Sequence, residues 1–253
     1  MQKHHWNILF LLLGNAIGFF AAPSPLNYWV IGGTWLLFAL FLSIGISLIR
    51  FQYFFKSINY LQNGKVLLTF DDGPAEKYTP EILKILDQHE IGSIFFVIGN
   101  KVEKSSQIIS LIKEHGHLIG NHTYSHPNNF ALLSQKRIVE EIDKGQVTLA
   151  PFSEMDEMLF RTPIGVTNPI IGRAVRATNV SVIGWSLRTM DTRVKNPSKW
   201  LDKIIQSTQK NDIVLFHDTQ AITAEHLNHY IVECKNRGIE FVSKDSLKNV
   251  FHA

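Results

Sequence analysis

The stretch Thr69-Phe70-Asp71-Asp72-Gly73-Pro74 follows the apolar run Val66-Leu67-Leu68. β-Forming residues stopped by Asp-Gly-Pro read as a buried strand that delivers Asp71 and Asp72 to its C-terminal tip. Taken alone, Asp-Asp-Gly is equally the sequence of a plain turn. Neighbouring side chains of an extended strand point to opposite faces, so both carboxylates can serve one site only if the turn at Gly73-Pro74 bends the backbone between them.

Outward from this stretch, strand-like runs at 65–70, 92–98, 117–121, 158–162, 180–185, 212–217 and 239–242 alternate with helix-like segments near 78–88, 103–115, 134–149, 168–178, 197–209 and 223–237. Such alternation argues for βα units and a parallel sheet, and about seven strands suggest an irregular (β/α) barrel, closed or incomplete. Thr79-Pro80 and Asn196-Pro197 each read as a helix cap followed by Pro at the first helical position.

The N-terminal part has a different character. From His4 to Ile49 there is no Lys, Arg, Asp or Glu, and two apolar stretches, Trp6 to Ala22 and Tyr28 to Ile49, flank Pro23-Ser24-Pro25. Both are long enough to be membrane helices, and together they predict a transmembrane hairpin over 1–56 ahead of an α/β domain over 60–253. A cleaved signal peptide is the rival for the first stretch. A hairpin sets Met1 and the domain on one side of a bacterial-type inner membrane, and Lys3, Arg50 and Lys56 bias that side towards the cytoplasm. If only the second stretch spans, the domain lies opposite the N-terminus.

The formal charge of +3 includes no basic block, so nothing calls for nucleic acid, and no obligate protein partner is inferred. With Cys234 alone, an intrachain disulfide and a cysteine-based zinc finger are both excluded.

Four more clusters stand at or near predicted strand ends: His122 and His126 in Asn121-His122-Thr123-Tyr124-Ser125-His126; Arg161-Thr162-Pro163-Ile164-Gly165; Trp185 to Asp191; and Leu215-Phe216-His217-Asp218. Histidines four apart share one face of a helical turn and offer two nitrogens to one metal. The C-terminal ends of parallel strands are where such architectures build their sites.

These clusters, in this order, resemble the five motifs of the polysaccharide deacetylases, the carbohydrate esterase family 4 enzymes with a chitooligosaccharide deacetylase homology domain. Residues 69–74 and 122–126 match the first two motifs in full; Arg161, Pro163 and Gly165 carry the third, Asp191 the fourth, Leu215 and His217 the fifth. The resemblance covers about 60–253 and points to a membrane-anchored bacterial branch. It implies metal-dependent hydrolysis of the N-acetyl group of amino sugars, with Asp72, His122 and His126 holding a divalent ion, zinc first and cobalt or another ion as alternatives. It further implies Asp71 as general base oriented by Arg161, and His217 as general acid whose pKa Asp191 raises. Ile164 would supply a backbone N–H to the oxyanion, and Leu215 would line the acetyl pocket.

The chain departs from the family pattern at three positions. Ile164 replaces a Tyr, and in the fourth motif Arg188 replaces an Asp and Thr192 a Trp. Trp185 compensates for the lost aromatic surface only if it points into the site. The substrate expected is peptidoglycan or another N-acetylated envelope glycan if the domain faces outward, as the family favours. It is a lipid-linked sugar carrying an acetyl or formyl group if the domain faces the inner leaflet. A silent glycan-binding module is the rival from another class.

Overall fold

The computed structural model describes residues 3–251 except 154 and 156. Met1, whose side of the membrane entered the topology argument, and residues 2, 252 and 253 at the ends of the two expected units lie outside the described residues.

Helices α1 (Lys3–Phe20) and α2 (Leu26–Ser47) lie antiparallel. Gly14 faces Thr34 and Gly18 faces Ile31 so closely that a Cβ at either glycine would overlap its neighbour. Such small residues let two backbones approach where apolar side chains face outward. Asn7 Nδ2 donates to Phe38 O at 3.2 Å and Trp35 Nε1 to Asn15 Oδ1 at 3.2 Å, tying the pair together. Among the described residues α2 alone has the length and apolarity of a membrane span. At 18 residues, α1 measures about 27 Å and carries Lys3, His4, His5, Asn7 and Asn15.

The remaining elements are β1 (Leu67–Gly73), α3 (Tyr78–Gln88), β2 (Ser93–Val97), α4 (Gly99–Val102), α5 (Ser106–Glu114), β3 (Leu118–Asn121), α6 (Gln135–Leu149), β4 (Leu159–Phe160), α7 (Pro169–Thr178), β5 (Ser181–Val182), β6 (Leu187–Arg188), α8 (Pro197–Ser207), β7 (Ile213–His217) and α9 (Ala221–Asn236). The strands form one parallel sheet in the order β5-β4-β3-β2-β1-β7-β6. Its two edge strands, β5 and β6, are neighbours in sequence, joined by residues 183–186 alone. Laid flat, seven strands would hold their edges about 29 Å apart, whereas the link from Val182 to Leu187 reaches at most about 18 Å. The sheet therefore curls into an irregular barrel. Ile58 bridges to Ile183 and Tyr60 to Asp212 across the remaining gap.

Period-two alternation sorts the strand residues into two layers. Leu68, Phe70, Phe95, Val97, Ile119, Phe160, Val214 and Phe216 pack outward under the helices. Leu67, Ile94, Phe96, Leu118, Leu159, Ile183 and Ile213 fill the barrel interior, closed below by Val242, Leu247 and Val250. The outer core reaches back to Ile49, Tyr53, Phe54 and Phe55, so the chain leaving α2 is already packed on the domain.

Three local expectations are corrected. Residues 239–242 make no strand: β1 already has both edges occupied by β2 and β7, and the run meets the start of β1 through one bridge, Val66 to Phe241, and the start of β2 through the Gly92 N–H to Val242 O. The seventh strand is Leu187–Arg188, inside a stretch read only as a site cluster. Thr79 does not cap α3, which starts at Tyr78. Its hydroxyl instead accepts from Ala75 N and donates to Asp218 Oδ2 at 2.6 Å, while Pro80 stays within the first turn, where N–H groups lack helical partners anyway. Asn196 does cap α8, accepting from Lys199 N at 3.1 Å ahead of Pro197. The helix expected near 103–115 is α5, Ser106–Glu114, and the short α4 precedes that range.

Phe96 is fully buried in the barrel. Phe96→Ala is expected to cost about 3–5 kcal/mol, read as a shift of the denaturation midpoint of the full chain in detergent. A loss below about 1 kcal/mol would contradict a packed barrel interior at this level.

Candidate active site

The inward faces of β1 and β7 rise in register: Leu67 beside Ile213, Thr69 beside Leu215, Asp71 beside His217. The first pair is core and the last is polar. Asp72 would face the helices if the strand continued unchanged, but a bulge interrupts the ladder there and Asp72 adopts φ +71°. Asp tolerates this left-handed backbone better than bulky residues do, and it brings the second carboxylate round towards the first. Gly73 leaves room for the Asp218 carboxylate, which a Cβ would strike, and Lys101 Nζ holds the Asp72 carbonyl at 2.6 Å.

His122 follows β3 directly. Its Nδ1–H donates to Arg161 O at 2.9 Å, which fixes the tautomer and leaves the Nε2 lone pair 3.4 Å from Asp72 Oδ1. His126 Nε2 lies 3.4 Å from the same oxygen. The two histidines do not share a helical turn. Thr123 and His126 have φ of +67° and +49°, so the segment is a loop, pinned by Ser125, whose N–H and hydroxyl both donate to the Glu141 carboxylate at 2.8 Å. The imidazoles converge regardless, with ring centroids 4.8 Å apart. Asp72, His122 and His126 offer donor atoms within 4.8 Å of one another, a set that fits a divalent cation.

The electrostatics agree with that fit. Burial alone would raise the Asp72 pKa, but the neighbouring imidazoles of His122, His126 and His217 hold it below the usual carboxylate range. Burial and His122 lower the pKa of His126 against the pull of Asp72, favouring a neutral imidazole. An ionised carboxylate and neutral imidazoles are the forms that ligate.

Arg161 is fully buried at the top of the barrel. Its Nη1 donates to Asp71 Oδ1 and Thr69 Oγ1, both at 2.8 Å; Nε donates to Ile183 O at 3.1 Å and Nη2 to Gly184 O at 2.8 Å. The guanidinium lies 4.1 Å from the Phe96 ring centroid and 5.7 Å from that of Trp185. Across the site His217 Nδ1–H donates to Asp191 Oδ1 at 2.7 Å, so Nε2 faces the cluster, 4.0 Å from Asp72 Oδ2. Asp191 Oδ2 also accepts from His217 N at 2.7 Å and from the Thr223 hydroxyl at 2.8 Å. Burial would depress the His217 pKa; the hydrogen bond and charge of Asp191, with Asp71 and Asp72 beyond, raise it instead.

The residues expected on the substrate side stand around this cluster. Leu215 is buried two positions below His217 on the same strand face. Ile164 has an exposed side chain and φ +61° in the turn after Arg161. Trp185 is half-buried with its ring against Gly165, where a Cβ would overlap it. Thr69, Glu141, Thr223 and Asp218 were given no role from sequence. Thr69 was legible by alternation from Asp71; Asp218 is buried with Oδ1 unpaired and its pKa pushed up to about 7, chiefly by burial.

A family model described as polysaccharide deacetylase matches residues 59–183. The peptidoglycan-N-acetylmuramic acid deacetylase PdaA of Bacillus subtilis is 30% identical over 195 residues, covering 74% of each chain. The peptidoglycan-N-acetylglucosamine deacetylase PgdA of Listeria monocytogenes is 30% identical over 185 residues, 73% of this chain but 39% of its own, so this chain spans about two-fifths of that relative. A reactivated mutant of BA3943, a CE4 family pseudoenzyme, superposes with a TM-score of 0.67 at 26% identity, covering 74% of this chain and 68% of its own.

If Asp72, His122 and His126 form the ligand set, the wild-type chain dialysed after zinc loading retains one zinc per chain. His126→Ala and Asp72→Ala retain far less, and Asp71→Asn retains it fully; metal analysis reads all four. Equal retention by His126→Ala would remove His126 from the set.

Proposed function

The chain belongs to the polysaccharide deacetylase family, and we propose that it hydrolyses the N-acetyl group of N-acetylated amino sugars in a cell-envelope glycan, releasing acetate. The carrying observation is that Asp71 and His217, in register on adjacent strands, are each oriented by a partner of its own, with Asp72, His122 and His126 beside them.

Asp72, His122 and His126 would hold one divalent ion, zinc in the first instance. When bound, that ion supplies a Lewis acid that acidifies water and polarises the amide carbonyl. Asp71 takes the proton of the attacking water as the new C–O bond forms. Arg161 fixes the carboxylate's position through Oδ1, leaving Oδ2 for that proton. The Ile164 N–H, presented by its left-handed turn, donates to the developing oxyanion. His217 passes a proton from Nε2 to the sugar nitrogen as the C–N bond breaks, so the products are acetate and a free amine. Asp191 holds Nδ1–H, which keeps the transferable proton on the site side of the ring. Leu215 and Trp185 border the space for the acetyl methyl and the sugar face.

Residues 60–253 are the catalytic unit in this reading and residues 1–56 its anchor to a bacterial-type inner membrane. Support comes from α2, long and apolar enough to span, and from the outward apolar sheath of the helix pair, with Phe19, Phe20, Trp29 and Leu36 each more than two-thirds exposed. A silent glycan-binding module is disfavoured, because neither the base nor any residue of the ligand set is missing.

With zinc supplied, Asp71→Asn is expected to reduce acetate release from N-acetylated oligosaccharides by at least about 100-fold. Near-wild-type turnover would refute the base assignment. Catalysis by the His217 imidazolium falls as pH rises through its pKa, which Asp191 raises. Asp191→Asn should therefore move the alkaline limb of the pH profile to lower pH; an unmoved limb would separate Asp191 from the acid.

A further inference from the structure

The end of α2 meets the catalytic wall. Thr167, in the loop that continues from Arg161, donates its N–H to Ile46 O at 3.0 Å and its hydroxyl to Gly45 O at 2.5 Å. Ile49, two residues past the helix, is buried in the domain core. The last turn of the apolar helix is thus fixed to the site rather than joined to it by a free linker.

Between them lies a cavity of about 250 Å³, lined by Ser47, Leu48, Ile49 and Arg50 on one side and Trp185, Ser186 and Arg188 on the other. That is smaller than the pockets that enclose drug-sized ligands and suits a compact polar group. Arg50 and Arg188 have no carboxylate partner among the described residues. Arg188 stands where the related motif carries an acid, so the local charge is reversed. Its guanidinium lies 5.8 Å from the Trp185 ring, and the guanidinium of Arg161, bonded to Asp71, lies 5.7 Å from the same ring. One indole is therefore shared by the guanidinium that orients Asp71 and by the uncompensated Arg188, and Arg50 lines the same cavity. A second hollow beyond Arg188, lined by Arg193, Lys195, Lys199 and Lys203, extends the positive charge.

We infer that this cavity binds the phosphate or diphosphate of an amino sugar attached to a membrane lipid, and that such a lipid-linked sugar is the substrate. The inference rests on the N-deacetylase reading above. Arginines recognise phosphate oxygens through paired N–H donors. The apolar run of α2 ends at the cavity, which sets it at the level where hydrocarbon gives way to phosphate. The Trp185 wall puts the sugar of a phosphate held there within reach of the Asp71–His217 cluster. An anionic phospholipid headgroup offers the same phosphate chemistry, but it would leave the shared wall with the active site without a role.

The test uses the full chain in phosphatidylcholine nanodiscs with zinc. Acetate release is measured from N-acetylglucosamine joined to a long prenyl chain through a diphosphate, from the same sugar and chain joined by a plain glycosidic bond, and from a soluble N-acetylated oligosaccharide. The expected result is a kcat/KM at least tenfold higher for the diphosphate probe than for its uncharged match, with the ratio falling towards one in Arg50→Ala/Arg188→Ala and recovering in part in Arg50→Lys/Arg188→Lys. The wild-type ratio needs no variant. Equal use of both lipid probes, an unchanged ratio in the alanine pair, or turnover of the oligosaccharide alone would overturn the cavity assignment and leave deacetylation standing. No acetate from any probe would overturn the deacetylase reading itself. Phosphatidylglycerol that stimulates both lipid probes equally would reassign the arginines to the headgroup and overturn the substrate assignment.

Discussion

The ion pair between Arg161 and Asp71 is the constraint on which the rest of the site depends. A buried guanidinium is tolerable only if its N–H groups are met, and here the carboxylate, a hydroxyl and two carbonyls meet four of them. Those acceptors belong to β1 and to residues 183–184, so one side chain at the end of β4 ties the middle of the sheet to the link across its gap. Its own carbonyl fixes the His122 tautomer. One side chain thus both orients Asp71 and helps close the barrel, so a substitution at 161 disturbs both, whereas the carbonyl that aims His122 belongs to the main chain and remains.

Two imidazoles of the site, those of His126 and His217, are tuned apart by their surroundings. His126 is pulled towards neutrality by burial and by His122, whereas His217, also buried, is pushed towards the imidazolium by Asp191. One residue type is thereby held in two protonation states within one site, as the proposed roles of ligand and acid require. Asp71 and Asp72 divide in a comparable way through backbone geometry: one follows the strand pleat and meets Arg161, the other leaves it at φ +71°.

Much of this was legible in the sequence because it rests on local signals. Apolar runs of strand length, the Asn-Pro cap of α8 and the five ordered clusters each depend on residues close in the chain. The failures share a different cause. A two-residue strand such as β6 has no periodicity to detect, and residues 239–242 have a strand's composition but no free sheet edge beside them. The histidine spacing suggested a helical turn because left-handed φ at Thr123 and His126, neither a glycine, leaves no mark in composition. Thr223 and Glu141 reach the site from helices far along the chain, a proximity that only the assembled fold creates.

Strand β7 is inserted between β1 and β6, although it is the last of the seven along the chain. Until it arrives, β6 has no strand to pair with and one edge of β1 lies open. During synthesis the unfinished sheet therefore exposes two unsatisfied edges while six strands wait, a condition that favours association with other chains. The same strand brings His217, so the proposed proton donor enters in the step that completes the sheet. A partly made chain can present Asp71, Asp72 and the two histidines, but under the proposed mechanism it lacks its acid until the sheet itself is whole.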